Sequence, residues 1–176
     1  PYTAAFSDTI LAPARYIALT PANILSPVSI TADTPSNLQS TANQAEYLII
    51  SHANFVSEAQ TLANYRDMHA INAQVIDVQD IYDEFSYGLV DPEAIRAFIS
   101  FAYAQWSEPN PSYVLLVGDG NFDPNNHEGY GRTSFIPPYL AFVDPTIGET
   151  AADNQYVAVV GDDSLPDLML GRLSVN

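Results

Sequence analysis

From Glu46 onward, short apolar runs alternate with longer stretches patterned for a helix, and this alternation restricts the fold more than any other feature. Tyr47-Leu48-Ile49-Ile50 is apolar without interruption and stops at Ser51-His52. A strand covered on both faces reads this way, whereas a strand with one wet face alternates. Phe55, Ala59, Leu62, Ala63 and Arg66 recur at helical spacing as far as Met68, and a second strand is expected from Ala73 to Val78. Asp91-Pro92-Glu93 supplies a capping carboxylate, a proline at the first helical position and an acid in the first turn. Ile95, Phe98, Ile99, Ala102 and Trp106 follow on one face of the predicted helix. Tyr113-Val114-Leu115-Leu116-Val117 reads as a third strand, Tyr156 to Val160 as a fourth and Leu168-Met169-Leu170 as a fifth. Strands and helices in this order, joined by right-handed crossovers, predict an α/β fold with a three-layer parallel sheet.

Residues 1–44 follow a different grammar. Pro13, Pro21, Pro27 and Pro35 recur too often for a helix and interrupt sheet pairing. Only Arg15-Tyr16-Ile17-Ala18-Leu19 resembles a strand there, with Ser26 to Ile30 a weaker edge candidate. The segment reads as an extended Pro-rich linker or the tail of a preceding domain, and residues 45–176 as the α/β unit.

Charge narrows the function. Five arginines and no lysine face 21 acids, a net charge of −16. Nucleic acids and anionic membranes are held by cations, so both are excluded as expected partners. No run approaches the roughly 20 apolar residues of a membrane span, so no membrane insertion is expected. The absence of cysteine removes disulfides, thiolate ligands and any thiol nucleophile from this chain. Abundant Asn, Thr, Ser and Pro without Lys or Cys points to an exported protein.

Chemistry in open parallel sheets sits beyond the carboxyl ends of the strands. The expected ends are Ser51-His52, Gln79-Asp80, Gly118-Asp119-Gly120 and Gly161-Asp162-Asp163. Gly118-Asp119-Gly120 occupies the place of a dinucleotide fingerprint but lacks the third glycine, and Pro124-Asn125-Asn126 cannot open the helix that would hold a pyrophosphate. With no cofactor-binding motif, the remaining candidate is calcium, ligated by Asp119, Asp123, Asp153, Asp162 and Asp163. Equally, these acids cap turns or pair with Arg132 or Arg172. His52, His69 and His127 show no metal spacing and no serine elbow motif, and the many carboxylates do not by themselves define a glycosidase pair. Tyr82-Asp83-Glu84-Phe85-Ser86-Tyr87-Gly88 reads as an ordered loop turning at Gly88.

Five stretches in order resemble the gingipain-type cysteine peptidases, including sortase-like members of a bacterial secretion system. They are residues 46–52, 81–88, 91–96, 113–120 and 161–167, followed by Gly171-Arg172-Leu173. The resemblance implies a caspase-like peptidase domain of flavodoxin-like topology, of which residues 45–176 form the first subdomain, preceded by a β-rich region. It implies a Gly-His-Gly histidine and a nucleophilic cysteine in a second subdomain after Asn176, so no catalytic residue in this chain. The implied partners are that downstream catalytic subdomain and a protein or peptide substrate, and the implied location is secreted or on the bacterial cell surface. The alternative from a different class is a pseudo-peptidase, binding calcium or a partner without catalysis. One departure stands out: the family has glycine where the first helix turns into the second strand, and here Ala70 occupies that position. Alanine resists a left-handed turn by about 1–2 kcal/mol, so Asn72 is expected to take the special conformation instead.

Overall fold

A computed structural model describes residues 5, 7, 9, 16–27, 29–30 and 32–176. The chain divides into two units, Pro1–Thr34 and Pro35–Asn176. In the first, a 3-10 turn spans Pro21–Asn23, steadied by the Thr20 hydroxyl donating to Asn23 Oδ1. Residues 16–19, 26–27 and 29–30, expected as strands, form none, while Arg15 and Val28 lie outside the described residues.

The second unit is a parallel α/β sheet. Its elements are β1 (Tyr47–Ser51), α1 (Val56–Asp67), β2 (Ala73–Asp77), α2 (Val78–Ser86), α3 (Pro92–Gln105), β3 (Tyr113–Val117), β4 (Leu140–Asp144), β5 (Gly148–Ala151) and β6 (Met169–Leu173). The order β2-β1-β3-β6 is parallel throughout, with Tyr47 level with Ala73 and Tyr113, and Tyr113 level with Met169. This is the expected class. The direction in which strands are added across the sheet reverses after β2, so right-handed crossovers place α1 on one face and α2 and α3 on the other. Leu48, Ile50, Val114 and Leu116 pack under α2 and α3, whereas Ile49, Leu115 and Val117 face Ala59 and Ala63 of α1. Among the described residues, no helix is long and apolar enough to cross a membrane.

Four expectations are corrected. The predicted boundary at residue 45 falls too late, because Leu38 is buried in the core and its carbonyl accepts from the Trp106 indole at 2.9 Å. Glu84 binds the same segment, accepting from Ser36 Oγ, Leu38 N and Gln39 N at 2.5, 2.7 and 3.1 Å. The loop expected at residues 82–88 is mostly helix. Asp77 caps α2 through Gln79 N, and Val78, Ile81 and Tyr82 are buried; only Tyr87 and Gly88, with φ of 57° and 81°, turn the chain. The strand expected at residues 156–160 is instead a 3-10 helix over Asp153–Val157 and an irregular continuation. Tyr156, Val157 and Ala158 are buried because this segment packs on α3, and the fourth strand of the sheet is β6. Finally, the left-handed residue after α1 is Ala70 itself, at φ 62°. Ala70 N donates to Asp67 O and Ile71 N to Arg66 O, the paired bonds that close a helix through a left-handed residue.

β4 and β5 form a separate antiparallel hairpin. Its turn is built by Asp144, whose carboxylate accepts from Thr146 N and Ile147 N, with Gly148 at φ 74°.

Candidate functional site at the carboxyl edge of the sheet

The carboxyl ends of β1, β3 and β6 converge on the Gly118-Asp119-Gly120 loop. Asp119 N donates to Val175 O, and Asp119 O accepts from Phe135 N and Ile136 N, so residues 135–137 are laid directly across the loop. Both glycines follow from that crossing. Gly118 has φ 146°, and a Cβ on Gly120 would stand 2.2 Å from Ile136 O. The glycines that resemble a phosphate loop therefore admit a backbone, not a ligand.

Arg172 locks the crossing from below. Its guanidinium makes two bonds to Asp153, at 2.7 and 3.1 Å, and donates to the carbonyls of Gly118, Ile136 and Pro137 at 2.9, 2.9 and 3.2 Å. All five N–H donors of the fork are used. Pairing between Asp153 and Arg172 was one of the two readings open for that acid. Behind it, Tyr156 donates to Pro137 O at 2.8 Å, and burial pushes the Tyr82 and Tyr156 phenols far above the ordinary tyrosine range.

Above the crossing lies an open groove of about 470 Å³, bordered by Asp119, Asn121, Arg132, Thr133, Phe135 and Asn176. His52 stands beside it, its ring edge-on to Phe135 at 5.0 Å between centroids, with Phe55 packed on the same phenyl. Its imidazole is occupied structurally: Nδ1 accepts from Asn54 N at 3.2 Å and caps the short 3-10 turn Ala53–Phe55. The buried Ser51 donates to the His52 carbonyl, not to an imidazole nitrogen. His69 and His127 lie elsewhere, on Tyr65 O and on the Asp123 loop. The site thus presents a rigid platform, with no nucleophile held against a base among the residues described.

The five calcium candidates do not form one centre. Asp153 belongs to Arg172, Asp163 accepts from Leu165 N, and Asp123 accepts from His127 N and Glu128 N, which hold its carboxyl below the usual aspartate range. Asp119 is used through its backbone, and Asp162 is exposed beyond the turn at Gly161. Among the described residues, no three His, Cys, Asp or Glu side chains converge as metal ligands would. The physical reason is that Asp123 and Asp163 are spent on their own turns and Asp153 on an arginine. Arg172 as the keystone was missed as a functional position, although it lies inside the Gly-Arg signature. Glu84 was missed because its partners lie more than 40 residues away, and no local pattern marks them.

The model of peptidase family C25 matches residues 40–176. No curated protein sequence matches the chain. Solved structures that resemble it include dimeric latent PorU from Porphyromonas gingivalis, at TM-score 0.58 and 24% identity, over 74% of this chain and 14% of that one. The complex of the RgpB pro- and mature domains from Porphyromonas gingivalis aligns at TM-score 0.53 and 23% identity, over 74% and 25% of the two chains. The Arg-specific cysteine proteinase gingipain R (RgpB) aligns at TM-score 0.54 and 21% identity, over 74% and 24%. At such identities the structures establish a shared fold, and this chain spans a quarter or less of each.

Proposed function

The chain belongs to peptidase family C25, and from that premise we propose that it is the first, non-catalytic subdomain of a gingipain-like cysteine endopeptidase, with a Cys/His dyad in a second subdomain after Asn176. The observation that carries the reading is the coincidence of a family match over residues 40–176 with a chain containing no cysteine. In the proposed mechanism the downstream thiolate attacks the scissile carbonyl of a protein substrate, and the histidine carries the proton to the leaving amine. This chain supplies the frame: an Arg172-locked loop crossing that holds residues 118–121 and 135–137 at one edge of the sheet. Residues 1–34 belong to a linker or preceding domain, and the whole protein acts outside the bacterial cell or on its surface.

The test compares purified residues 1–176 with the complete polypeptide on an unfolded protein substrate. The expected result is no hydrolysis by the first, and hydrolysis by the second that iodoacetamide abolishes. Hydrolysis by residues 1–176 alone would refute the reading. Equally decisive is a complete polypeptide that folds but shows no thiol-dependent hydrolysis, in which case a pseudo-peptidase replaces it.

A further inference from the structure

An endopeptidase that cuts after basic residues finds few bonds in this chain. There is no lysine, and there are five arginines. Arg15 lies outside the described residues. Arg66 sits in the last turn of α1, Arg96 within α3 and Arg172 within β6, where a bond is reached only after local unfolding. Their guanidinium groups are also engaged, Arg66 with Tyr47, Arg96 with Ala158 O and Arg172 in the loop crossing. Arg132 differs on every count. Among the described residues it is the one exposed arginine, it lies outside helix and strand, and its guanidinium has no hydrogen-bond or ion-pair partner there.

The backbone around it suits a peptidase cleft, which takes its substrate as an extended segment. Exposed loop tips with small and polar residues are the preferred sites of nicking. Residues 129–134 carry no helix, strand or turn, and residues 129–133 are exposed. Gly129 and Gly131 hold φ of 76° and 66°, and a Cβ on either would meet nothing within 4 Å. Both can therefore swing to extended backbone without a steric penalty. One contact tethers the carbonyl that would be attacked: Asn121 Nδ2 donates to Arg132 O at 3.3 Å.

A cut at this point leaves both sides of the loop pinned. Asp119 O accepts from Phe135 N and Ile136 N at 2.9 and 3.2 Å, while Arg172 donates to Gly118 O before the cut and to Ile136 O after it. Arg132 and Thr133 also border the groove above the crossing, so hydrolysis between them alters the rim and spares the platform below.

We propose that the Arg132–Thr133 bond is a processing site for an endopeptidase that cleaves after arginine, and that cleavage yields a two-chain domain that stays folded. Water adds across the peptide bond, Arg132 gaining a carboxylate and Thr133 an ammonium group. A negative and a positive charge thus replace a neutral amide at the edge of the groove. The site stands independently of whether the complete protein is itself a peptidase.

For the test, the complete polypeptide has its thiols blocked with iodoacetamide, which silences any thiol activity of its own, and is checked for retained fold by circular dichroism. It is then treated with dilute trypsin, and the cuts within residues 16–176 are mapped by peptide mass. Cleavage after Arg132 is expected at least tenfold faster than after Arg66, Arg96 or Arg172, with the two fragments co-eluting in size-exclusion chromatography until denaturant is added. Arg132→Gln is expected to remove this cut, and adding Glu128→Arg to restore one after residue 128 of the same loop. In protein taken from the organism that makes it, Thr133 is expected among the N-termini. An Arg132 bond that stays intact while any of the other three is cut would overturn the proposal, as would fragments that separate without denaturant. Trypsin cleavage with no Thr133 terminus in the native material would overturn it as well, reducing the site to an accidental nick.

Discussion

Ala70 holds φ 62°, a conformation that glycine adopts freely and alanine does not. The strain was visible in the residue type, but its resolution was not. The bonds from Ala70 N to Asp67 O and from Ile71 N to Arg66 O, together with Asp67 Oδ1 accepting from Ala73 N, bind the turn so tightly that the alanine yields. Ala70→Gly should therefore raise stability by about 1 kcal/mol, read as a shift in the denaturation midpoint at unchanged slope. Gly120 is the opposite case. Ile136 O, which an added Cβ would meet, is held by Arg172, and Ile136 N by Asp119 O, so it cannot retreat. Gly120→Ala is expected to cost about 3 kcal/mol in the same measurement. Arg172→Lys should cost about as much, because an ammonium cannot replace a five-donor fork and leaves buried carbonyls without a donor. A loss under 0.5 kcal/mol in either variant would show that the crossing is not the keystone described.

At the scale of elements, what the sequence disclosed depended on whether an element is set locally. α3 carries its whole signal: Asp91 accepts from Glu93 N at 2.9 Å, Pro92 opens the helix, and the spaced apolar residues are buried. Asp91→Ala should cost about 1 kcal/mol in a chemical denaturation series. By contrast, α2 begins directly after the last residue of β2, and its polar and aromatic residues imitate a turn. Residues 156–160 illustrate the reverse error. A short apolar run is compatible with strand or buried turn, and only the packing on α3 decides. The 123–131 loop depends on protonation. Hydrogen bonds from the Glu128 and His127 amides lower the Asp123 pKa, so the stability they add is present above the ordinary value of 3.8 and lost as pH falls through the lowered value. Acid titration followed by NMR should show the Glu128 and His127 amide signals moving in that window, and staying still in Asp123→Asn.

For the molecule as a whole, the parallel α/β class and the family emerged from sequence because they rest on repeated patterns and on motifs in series. The loop crossing did not, since it joins residues 118–120, 135–137, 153 and 172 through contacts distant in the chain. The crossing gives the architecture a carboxyl edge held in place by Arg172. The central claim is that the nucleophile belongs to the same polypeptide but not to this region. The most direct test is to label the active complete polypeptide with iodoacetamide at stoichiometric dose and map the modified peptide by mass. The account predicts that loss of activity tracks modification of one cysteine C-terminal to Asn176. Hydrolysis that persists with every cysteine labelled would contradict it.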